Sequence, residues 1–390
     1  MPQWIETINL DILRLCTNNM RIGFDLRVLS TGRVTGVEEY TLQLAKHLVP
    51  EDANNLYTFY YNAATRKLDP YFDNREVVAT THPNRLQNFS AKILGVPFLD
   101  EITKSDLFFS PHFLLTPLKR APRILMVHDL SFLRFPQFFS LRQHVWLRWM
   151  NVERQIKHAD HIITPSQCTK DDVVNLLHVP EKRVSTIYHG INPIFSASYR
   201  DEEIEQFKAI HKLPESFILY LGTIEPRKNI TTLIHAAELV FQKHDTISLV
   251  LAGNLGWLFE QCLEAIARSP YHNRIKLIQV SSEDRPKLYQ AARVFVYPSF
   301  FEGFGFQPLE AQYSQTPVVA SNRASLPEIL GESALLVDPY NRLDIAEAIS
   351  VALTEEKTRN RLIRLGKENA VQFNWNSAVA HYRNCFALFN

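Results

Sequence analysis

The sequence predicts an α/β protein of two Rossmann-like, doubly wound domains that face each other across a cleft. Three observations support this fold class. The 390 residues exceed one typical domain, short segments that are apolar throughout recur along the chain, and amphipathic helical patterns separate most of them. Fully apolar strands that alternate with helices are typical of parallel sheets covered on both faces. Right-handed crossovers then place helices on both sides of each sheet.

The predicted strands fall into two sets, one in each half of the chain. The first set comprises residues 22–29, 56–61, 107–110, 124–127, 161–164 and 184–187. The second set comprises residues 217–222, 248–252, 275–280, 294–297, 318–320 and 334–337. Helical patterns lie between most of these strands, for example at residues 37–48, 230–243 and 286–292. A polar segment at residues 192–213 separates the two sets, so we predict a hinge there.

We therefore predict an N-terminal appendage at residues 1–19, a first domain at residues 20–198 and a second domain at residues 199–372. The appendage is amphipathic and ends just before Met20, which opens the first predicted strand. It lacks the basic region followed by an apolar core that marks a signal peptide. Two alternatives remain open at this end: Met20 is the natural start, or the appendage is a peripheral helix.

Composition excludes several classes of protein. The formal net charge is +1, which provides no field to attract nucleic acid or an acidic membrane over the whole chain. The four cysteines are too scattered for a zinc site or a disulfide framework, so a reducing, cytoplasmic setting is expected. The sequence contains no run of 18 apolar residues, so no membrane-spanning helix is predicted. The hydrolase, zinc-protease and P-loop motifs are missing from the sequence.

Two glutamates flank a glycine-bearing turn that opens a predicted helix. They are Glu302 and Glu310, with seven residues between them. Pro308 suits the first helical position, which would put Glu310 near the third. Glycine lets the turn point backbone N–H groups outward. Carboxylates beside such donors can hold a polyhydroxylated anion, such as a nucleotide diphosphate sugar, although a glutamate near a helix start is also typical of a capping box.

A second predicted strand exit carries two adjacent cations, Arg227 and Lys228, after the turn at Gly222. Asn229 is a candidate N-cap for the helix that follows. Arginine grips phosphate oxygens at two points, lysine acts as a point charge, and a helix start offers free N–H groups. This pattern favours binding of a diphosphate over the alternative of two solvated surface cations.

Candidate residues in the first half also follow predicted strands. Gly36, preceded by Arg33, lies where a ligand could approach the first helix. This loop does not spell the dinucleotide fingerprint G-x-G-x-x-G. His128 and Asp129 end the predicted strand at residues 124–127, where a histidine can donate hydrogen bonds or transfer a proton. The alternative for His128 is a purely structural role.

The segment at residues 132–150 combines aromatic side chains with three arginines and has no acidic residue. Basic, aromatic, amphipathic segments can lie on anionic membranes. The alternative, which we favour for the apolar face, is a helix packed into the core with its arginine side chains extending to water. Peripheral contact with the inner membrane face therefore remains an open alternative to a purely cytoplasmic location.

These motifs resemble a known family, the family-four retaining glycosyltransferases of the two-lobed GT-B fold, and the variant of the cation loop is similar to that of mannosyltransferases. The resemblance runs from Met20 to the C-terminal end. Five segments carry it: Glu302-Gly-Phe-Gly-Phe-Gln-Pro-Leu-Glu310, Gly222-Thr-Ile-Glu-Pro-Arg-Lys-Asn229, Pro298-Ser-Phe-Phe-Glu-Gly-Phe-Gly305, Thr164-Pro-Ser-Gln-Cys-Thr-Lys170 and Thr186-Ile-Tyr-His-Gly-Ile-Asn192.

The resemblance implies transfer of a hexose from a nucleotide diphosphate sugar, with GDP-mannose as the first guess, to a hydroxyl of a glycan or lipid-linked acceptor. It implies roles for several of the candidate residues, and Gly36 would belong to the loop under the phosphates. Glu302 would hold sugar hydroxyls with the backbone of residues 303–306 (Gly303, Phe304, Gly305 and Phe306), Glu310 would hold the ribose, Arg227 and Lys228 the diphosphate, and His128 would lie beside the donor sugar and the acceptor. No tightly bound metal or cofactor is expected. Residues 373–390 would pack back on the first domain.

One departure from the family pattern affects the first loop. Many relatives read Gly-Ile-Gly-Arg-Tyr where this chain has Gly36-Val-Glu-Glu-Tyr40. Either Arg33 replaces the lost cation, or the loop serves the acceptor. For the mechanism we favour same-face transfer through an oxocarbenium-like state over a covalent intermediate. The alternative functions are a nucleotide-sugar epimerase or hydrolase on the same fold, or a catalytically silent sugar-nucleotide-binding protein.

Overall fold

A computed structural model describes residues 19–31, 36–62, 68–82 and 84–390. The chain divides into two compact units. The first comprises the residues up to Val127 together with Met150–Ile163 and Val379–Asn390, and the second comprises His128–Trp149 and Thr164–Ala378. The predicted appendage lies almost wholly outside the described residues, and the predicted boundary at residues 198 and 199 stays a prediction.

The strands of the first half form a seven-stranded parallel sheet in the order β3-β2-β1-β4-β5-β6-β7. These strands are β1 (Arg21–Asp25), β2 (Leu56–Asn62), β3 (Val77–Thr80), β4 (Leu107–Ser110), β5 (Arg123–Met126), β6 (His161–Thr164) and β7 (Val184–Thr186). Phe24 lies in register between Phe59 and Phe109, and the three rings pack in the core. The prediction missed β3. It also extended β1 too far, because the chain turns into a 3-10 helix at Arg27–Thr31.

The strands of the second half form a six-stranded parallel sheet in the order β10-β9-β8-β11-β12-β13. They are β8 (Ser216–Leu221), β9 (Ile247–Ala252), β10 (Ile275–Ile278), β11 (Val294–Tyr297), β12 (Val318–Ser321) and β13 (Leu335–Val337). The strand order reverses between the paired strands β8 and β11. Open α/β sheets bind ligands beyond the carboxyl ends of the strands at such a reversal. The loops that leave β8 and β11 are therefore the expected site.

Helices connect the strands in both halves. They are α1 (Gly36–Glu51), α2 (Asn84–Ile93), α3 (Leu99–Thr103), α4 (Ser131–Arg134), α5 (Leu141–Trp149), α6 (Val152–His158), α7 (Gln167–Leu177), α8 (Asp201–Ile210), α9 (Ile230–Phe241), α10 (Glu260–Arg268), α11 (Arg285–Ala291), α12 (Phe306–Tyr313), α13 (Leu326–Leu330), α14 (Arg342–Thr354), α15 (Glu356–Ala370) and α16 (Trp375–Phe386). The three predicted helical patterns correspond to α1, α9 and α11. The α/β class of two parallel-sheet, Rossmann-like domains is thus confirmed.

The last residues of the chain belong to the first unit. Tyr382, on α16, shares a hydrogen bond of 2.7 Å with the hydroxyl of Tyr40 on α1. Its ring also packs edge-on against Phe109 of β4, and both tyrosine side chains are fully buried. Burial of two large aromatic side chains that satisfy each other's hydroxyl groups joins the C-terminal segment firmly to the core of this unit.

The aromatic, basic segment at residues 132–150 has two parts with different surroundings. Phe138 stacks on Phe300, and Phe139 stacks on Trp257, so the phenylalanines of the first part pack against loops of the second unit. The helix α5 that follows has no buried residue, and Leu141 and Val145 are 79% and 61% exposed. The favoured prediction of a core-packed helix is therefore wrong for α5. Among the described helices, none is long and apolar enough to cross a membrane.

Candidate active site

The loop between β11 and α12 carries both motif glutamates. Glu302 lies in the loop, and Glu310 is the fifth residue of α12. The sequence placed Pro308 first in the helix and Glu310 near third, but the helix begins two residues earlier than predicted. Gly305 forms its N-cap with φ of 107°. Because side-chain-bearing residues rarely adopt this left-handed conformation, Gly305 fixes the point at which the helix starts.

Two cations hold the Glu302 carboxylate. Lys228 Nζ donates to Oε1 at 2.6 Å, and Arg227 donates from one terminal nitrogen to Oε2 at 3.0 Å. Burial alone would raise the pKa of Glu302, but Arg227 and Lys228 outweigh that effect and lower the pKa to about 2. The carboxylate is therefore ionised at neutral pH. The topology explains why these side chains lie together, since the two cations follow β8 and Glu302 follows the neighbouring strand β11.

A fourth charged group, Glu225, completes this cluster. Arg227 donates to Glu225 Oε1 at 2.8 Å from its other terminal nitrogen and to the carbonyl oxygen of Phe301 at 2.7 Å. Lys228 also donates to the Tyr297 hydroxyl at 2.7 Å. Burial lowers the pKa of Lys228 despite Glu302, and burial raises the pKa of Glu225. Two carboxylates and two cations thus lie together, mostly shielded from water, at the carboxyl ends of the two strands.

Glu310 belongs to a separate polar group. Its Oε2 accepts a hydrogen bond of 2.7 Å from the Tyr289 hydroxyl and is paired with Arg285. Both partners come from α11, and only 4% of Glu310 is exposed. Within the described residues, Oε1 accepts no hydrogen bond from a side chain or the backbone. The carboxylate is therefore fixed by one oxygen, while the other keeps its capacity to accept hydrogen bonds from hydroxyl groups.

The turn between the two glutamates packs against the exit of β5. A Cβ atom added to Gly303 would lie 1.9 Å from the carbonyl oxygen of His128 and 2.9 Å from Cβ of Asp129. Only glycine permits this approach. The structure thus brings His128 and Asp129 beside the Glu302 loop. The Asp129 carboxylate accepts hydrogen bonds from the N–H and hydroxyl of Ser131, at 2.9 and 2.6 Å, at the start of α4.

His189 lies in the same cluster and was not among the predicted site residues. Its ring stacks on Phe306 with centroids 5.2 Å apart and meets Phe304 edge-on at 4.9 Å. The centroid of the His128 ring is 6.1 Å away. Burial, reinforced by His128, holds the pKa of His189 well below its ordinary value, so the ring is neutral. His189 supports the aromatic residues of the turn.

Comparison with known families decides the identity of the chain. The family model described as Glycosyltransferase Family 4 matches residues 34–195. The model described as glycosyl transferases group 1 matches residues 201–369. The two matches together account for most of the chain. The chain belongs to the family-four glycosyltransferases. The second match contains Arg227, Lys228 and both motif glutamates.

Individual relatives agree with this assignment. The glycosyltransferase is 27% identical over 372 residues to the O-antigen chain mannosyltransferase B of Escherichia coli, a match that covers 91% of this chain and 96% of the relative. It is 32% identical over 232 residues to the serotype-specific mannosyltransferase WbdA of Escherichia coli, covering 58% of this chain and 28% of that longer protein. The fold resembles that of Anabaena HepE in complex with UDP-glucose, with a TM-score of 0.72, 18% identity and coverage of 95% and 100% of the two chains. The protein is thus an enzyme with a GT-B fold.

Gly222, another predicted site residue of the glycosyltransferase, immediately follows β8. A Cβ atom on Gly253 would lie 2.0 Å from the Gly222 carbonyl oxygen. The loops after β8 and β9 therefore touch through their backbones, and this contact requires glycine at position 253. Asn229 does occupy the N-cap of α9, but its side chain donates to the carbonyl oxygens of Pro298 and Pro339 instead of capping the helix.

The first-loop prediction is described only in part. Gly36 is the exposed first residue of α1, with Glu38 and Glu39 in the first turn, where the helix dipole favours negative charge. Arg33 lies outside the described residues. In the described ranges, no group of three or more His, Cys, Asp or Glu side chains is arranged to hold a metal ion. The prediction that the glycosyltransferase needs no tightly bound metal stays a prediction.

Three neighbours of the motif glutamates were missed: Glu225, Arg285 and Tyr289. Glu225 carried a weak signal, since it stands two residues before Arg227 in the quoted segment. His189 also lies within a quoted segment. Arg285 and Tyr289 carried none, because they reach Glu310 only through packing of α11 on α12, a contact across 21 residues or more.

Proposed function

We propose that this enzyme transfers mannose from GDP-mannose, with retention of anomeric configuration, to a hydroxyl of a glycan or lipid-linked acceptor during synthesis of a surface polysaccharide. Support for the sugar comes from two relatives that are mannosyltransferases, and support for the process comes from the first of them, an O-antigen chain mannosyltransferase. The structural neighbour HepE binds UDP-glucose, so the base must be tested directly. The proposal rests chiefly on one observation, the Glu302 carboxylate held between Arg227 and Lys228 at the switch point of the second sheet.

That cluster suits a diphosphate joined to a sugar. The guanidinium of Arg227 can bind two phosphate oxygens, and Lys228 adds a second positive charge. Glu302, ionised throughout the neutral range, can accept hydrogen bonds from sugar hydroxyls. Glu310 can accept hydrogen bonds from the ribose hydroxyls through Oε1. Burial of the cluster strengthens each of these interactions, because the local dielectric is low.

The reaction then follows from the charges. As the glycosidic C–O bond breaks, negative charge grows on the leaving diphosphate, where Arg227 and Lys228 stabilise it. The acceptor oxygen attacks the anomeric carbon from the same face, and its proton passes to the departing phosphate oxygen. His128 lies beside the Glu302 turn and would orient the donor sugar and the acceptor hydroxyl. No protein nucleophile is required by this same-face route.

A thermal-shift screen identifies the nucleotide. The protein is heated with GDP, UDP, ADP, CDP or dTDP at the same concentration. We expect GDP to raise the unfolding temperature most, because a ligand that binds only the folded state stabilises it by RT ln(1 + [L]/Kd). An equal or larger shift with UDP would replace the proposed donor with a UDP sugar.

A transfer assay then tests the reaction class. Release of GDP from GDP-mannose is measured with and without a mannose-terminated oligosaccharide. Acceptor-dependent release is expected, and product NMR should show an axial, α-configured linkage from the α-configured donor. Release that is independent of acceptor would indicate a hydrolase, and conversion to another nucleotide sugar would indicate an epimerase.

We further infer that α5 contacts an anionic membrane surface. Leu141 and Val145 are largely exposed, Arg142 and Arg148 are exposed on the same helix, and the segment has no acidic residue. Co-sedimentation with phosphatidylglycerol vesicles should exceed that with phosphatidylcholine vesicles and weaken with salt. Replacing both arginines by alanine should weaken it. The matched control replaces Arg268 and Arg364, which are also exposed. If neither pair of substitutions reduces binding to the vesicles, the inference is wrong.

A further inference from the structure

Three successive backbone carbonyl groups of the Glu302 turn are held by hydroxyl groups. Ser325 Oγ lies 2.9 Å from the carbonyl oxygens of both Glu302 and Phe304, which share its single hydroxyl proton. On the intervening peptide, Ser166 Oγ donates to the Gly303 carbonyl oxygen at 2.7 Å, and Thr169 Oγ1 does so at 3.3 Å. The three hydroxyl-bearing residues are fully buried. The orientations of three peptide planes are thus set by side chains from distant parts of the chain.

Fixing a carbonyl group also fixes the N–H group that follows it. In a trans peptide the C=O and N–H bonds lie in one plane and point in opposite directions. The N–H groups of Gly303, Phe304 and Gly305 are therefore aimed away from the hydroxyl groups that hold the carbonyls. Within the described residues, none of these three N–H groups donates to a protein acceptor. Successive N–H groups in a turn form a concave site for anionic oxygens.

We propose that Ser166 and Ser325 are positioning residues that aim these N–H groups at the donor's β-phosphate and sugar hydroxyls. The inference rests on the proposed function and deepens it, because it identifies the side chains that set the direction of the turn's N–H groups. Ser166 acts in two ways at once. Its oxygen caps α7 by accepting from the N–H of Thr169, while its proton is donated to the Glu302 turn.

The capping role is the simpler explanation for Ser166, so the experiment must separate it from positioning. Ser325 provides the separation, since its side chain caps no helix. Asn341 provides the opposite case, because its side chain caps α14 through the N–H groups of Leu343 and Asp344 and makes no bond to the turn. Ser325→Ala therefore removes only positioning, Asn341→Ala removes only a cap, and Ser166→Ala removes both. Ser166→Thr retains the hydroxyl and both roles.

The four variants and the wild type are compared by steady-state kinetics with GDP-mannose and by calorimetric binding of GDP and UDP. We expect kcat/KM to fall at least about tenfold in Ser325→Ala and Ser166→Ala, because misaligned donors lose transition-state stabilisation. Ser166→Thr should stay within about twofold of wild type. Asn341→Ala should lower the unfolding temperature as Ser166→Ala does while leaving kcat/KM unchanged.

The result that overturns the proposal is kcat/KM in Ser325→Ala that stays within about twofold of wild type at equal unfolding temperature. If the wild type transfers no mannose, the proposed donor fails, but the positioning role is still tested by nucleotide binding. The affinity for whichever of GDP and UDP binds the wild type should then fall at least about fivefold in both alanine variants. Unchanged affinity, or no binding of either nucleotide, refutes the positioning role.

Discussion

In each sheet of the enzyme an arginine lies in the loop that follows the first strand in chain order, β1 or β8, and the two arginines are held in different ways. Arg27 follows β1 and forms a two-point pair with Asp25, only two residues earlier, with a shortest distance of 2.6 Å. Arg227 follows β8 and pairs with Glu225, also two residues earlier, but additionally with Glu302, 75 residues away. The first pair closes within one loop, while the second joins two strand exits.

This difference separates a structural pair from a candidate catalytic one. Arg27 gives further hydrogen bonds to the Leu115 carbonyl and the Thr116 hydroxyl, both of which belong to the first unit. Arg227 shares Glu302 with Lys228, so two cations compete for one carboxylate at the reversal of strand order. One of the two cations can therefore turn to a phosphate oxygen while the other stays paired with Glu302, so no buried charge is left unpaired.

The largest effect should come from Glu302→Gln. We expect kcat/KM for transfer to fall by about 10³, because the neutral amide cannot match the carboxylate in holding hydroxyl groups or balancing two buried cations. The matched change in the other loop, Asp25→Asn, should leave kcat/KM within about threefold of wild type. Transfer rates with labelled donor measure both. Comparable losses in the two variants would remove the distinction between the loops.

The second effect is on stability and should be seen at Asp25. Asp25→Asn leaves the buried Arg27 guanidinium without a charged partner, and breaking such a pair typically costs about 3 kcal/mol. Denaturant unfolding of the variant should show this loss in the first unit's transition. Arg27→Met with Asp25→Asn is the control, since it removes both charges and should recover part of the lost stability. A single variant as stable as wild type would show that Arg27 is better solvated than its burial suggests.

The sequence located residues that follow strands and missed those that depend on packing. Glu302, Arg227 and Lys228 could be found because apolar strands end just before them, and parallel strands place their exits along one edge. Arg285 could not be found, because no periodicity shows that α11 packs against the helix carrying Glu310. Strand β3, which was missed, is a four-residue edge strand with no fully buried residue. The helix start was misjudged because Pro308 gave a plausible but later signal than Gly305.

At low pH, protonation of Glu302 should lower the stability of the folded protein. Its pKa is lowered in the folded protein to about 2, so its contribution to stability is present above the ordinary glutamate pKa and is lost as the pH falls towards 2. Between pH 6 and pH 3 the wild type should lose about 1.5 kcal/mol more stability than Glu302→Gln, which has no carboxyl group to titrate. Urea unfolding at both pH values measures this difference. Parallel pH dependence in the two proteins would mean that Glu302 is not held as an ion pair.

The smallest effect should come from Glu225→Gln, which tests whether the local partner of Arg227 resembles Asp25. The amide keeps a hydrogen-bond acceptor for Arg227 but removes one negative charge beside the proposed diphosphate site. We expect affinity for GDP to increase about threefold to fivefold, because the cluster becomes net positive and a nearby charge is only partly screened. Calorimetry measures this affinity, with Glu264→Gln, an exposed site on α10, as the control for the change in net charge. Weaker GDP binding with no loss of stability would show instead that Glu225 holds Arg227 in its binding geometry. In both loops, an acid two residues earlier would then fix the position of the arginine.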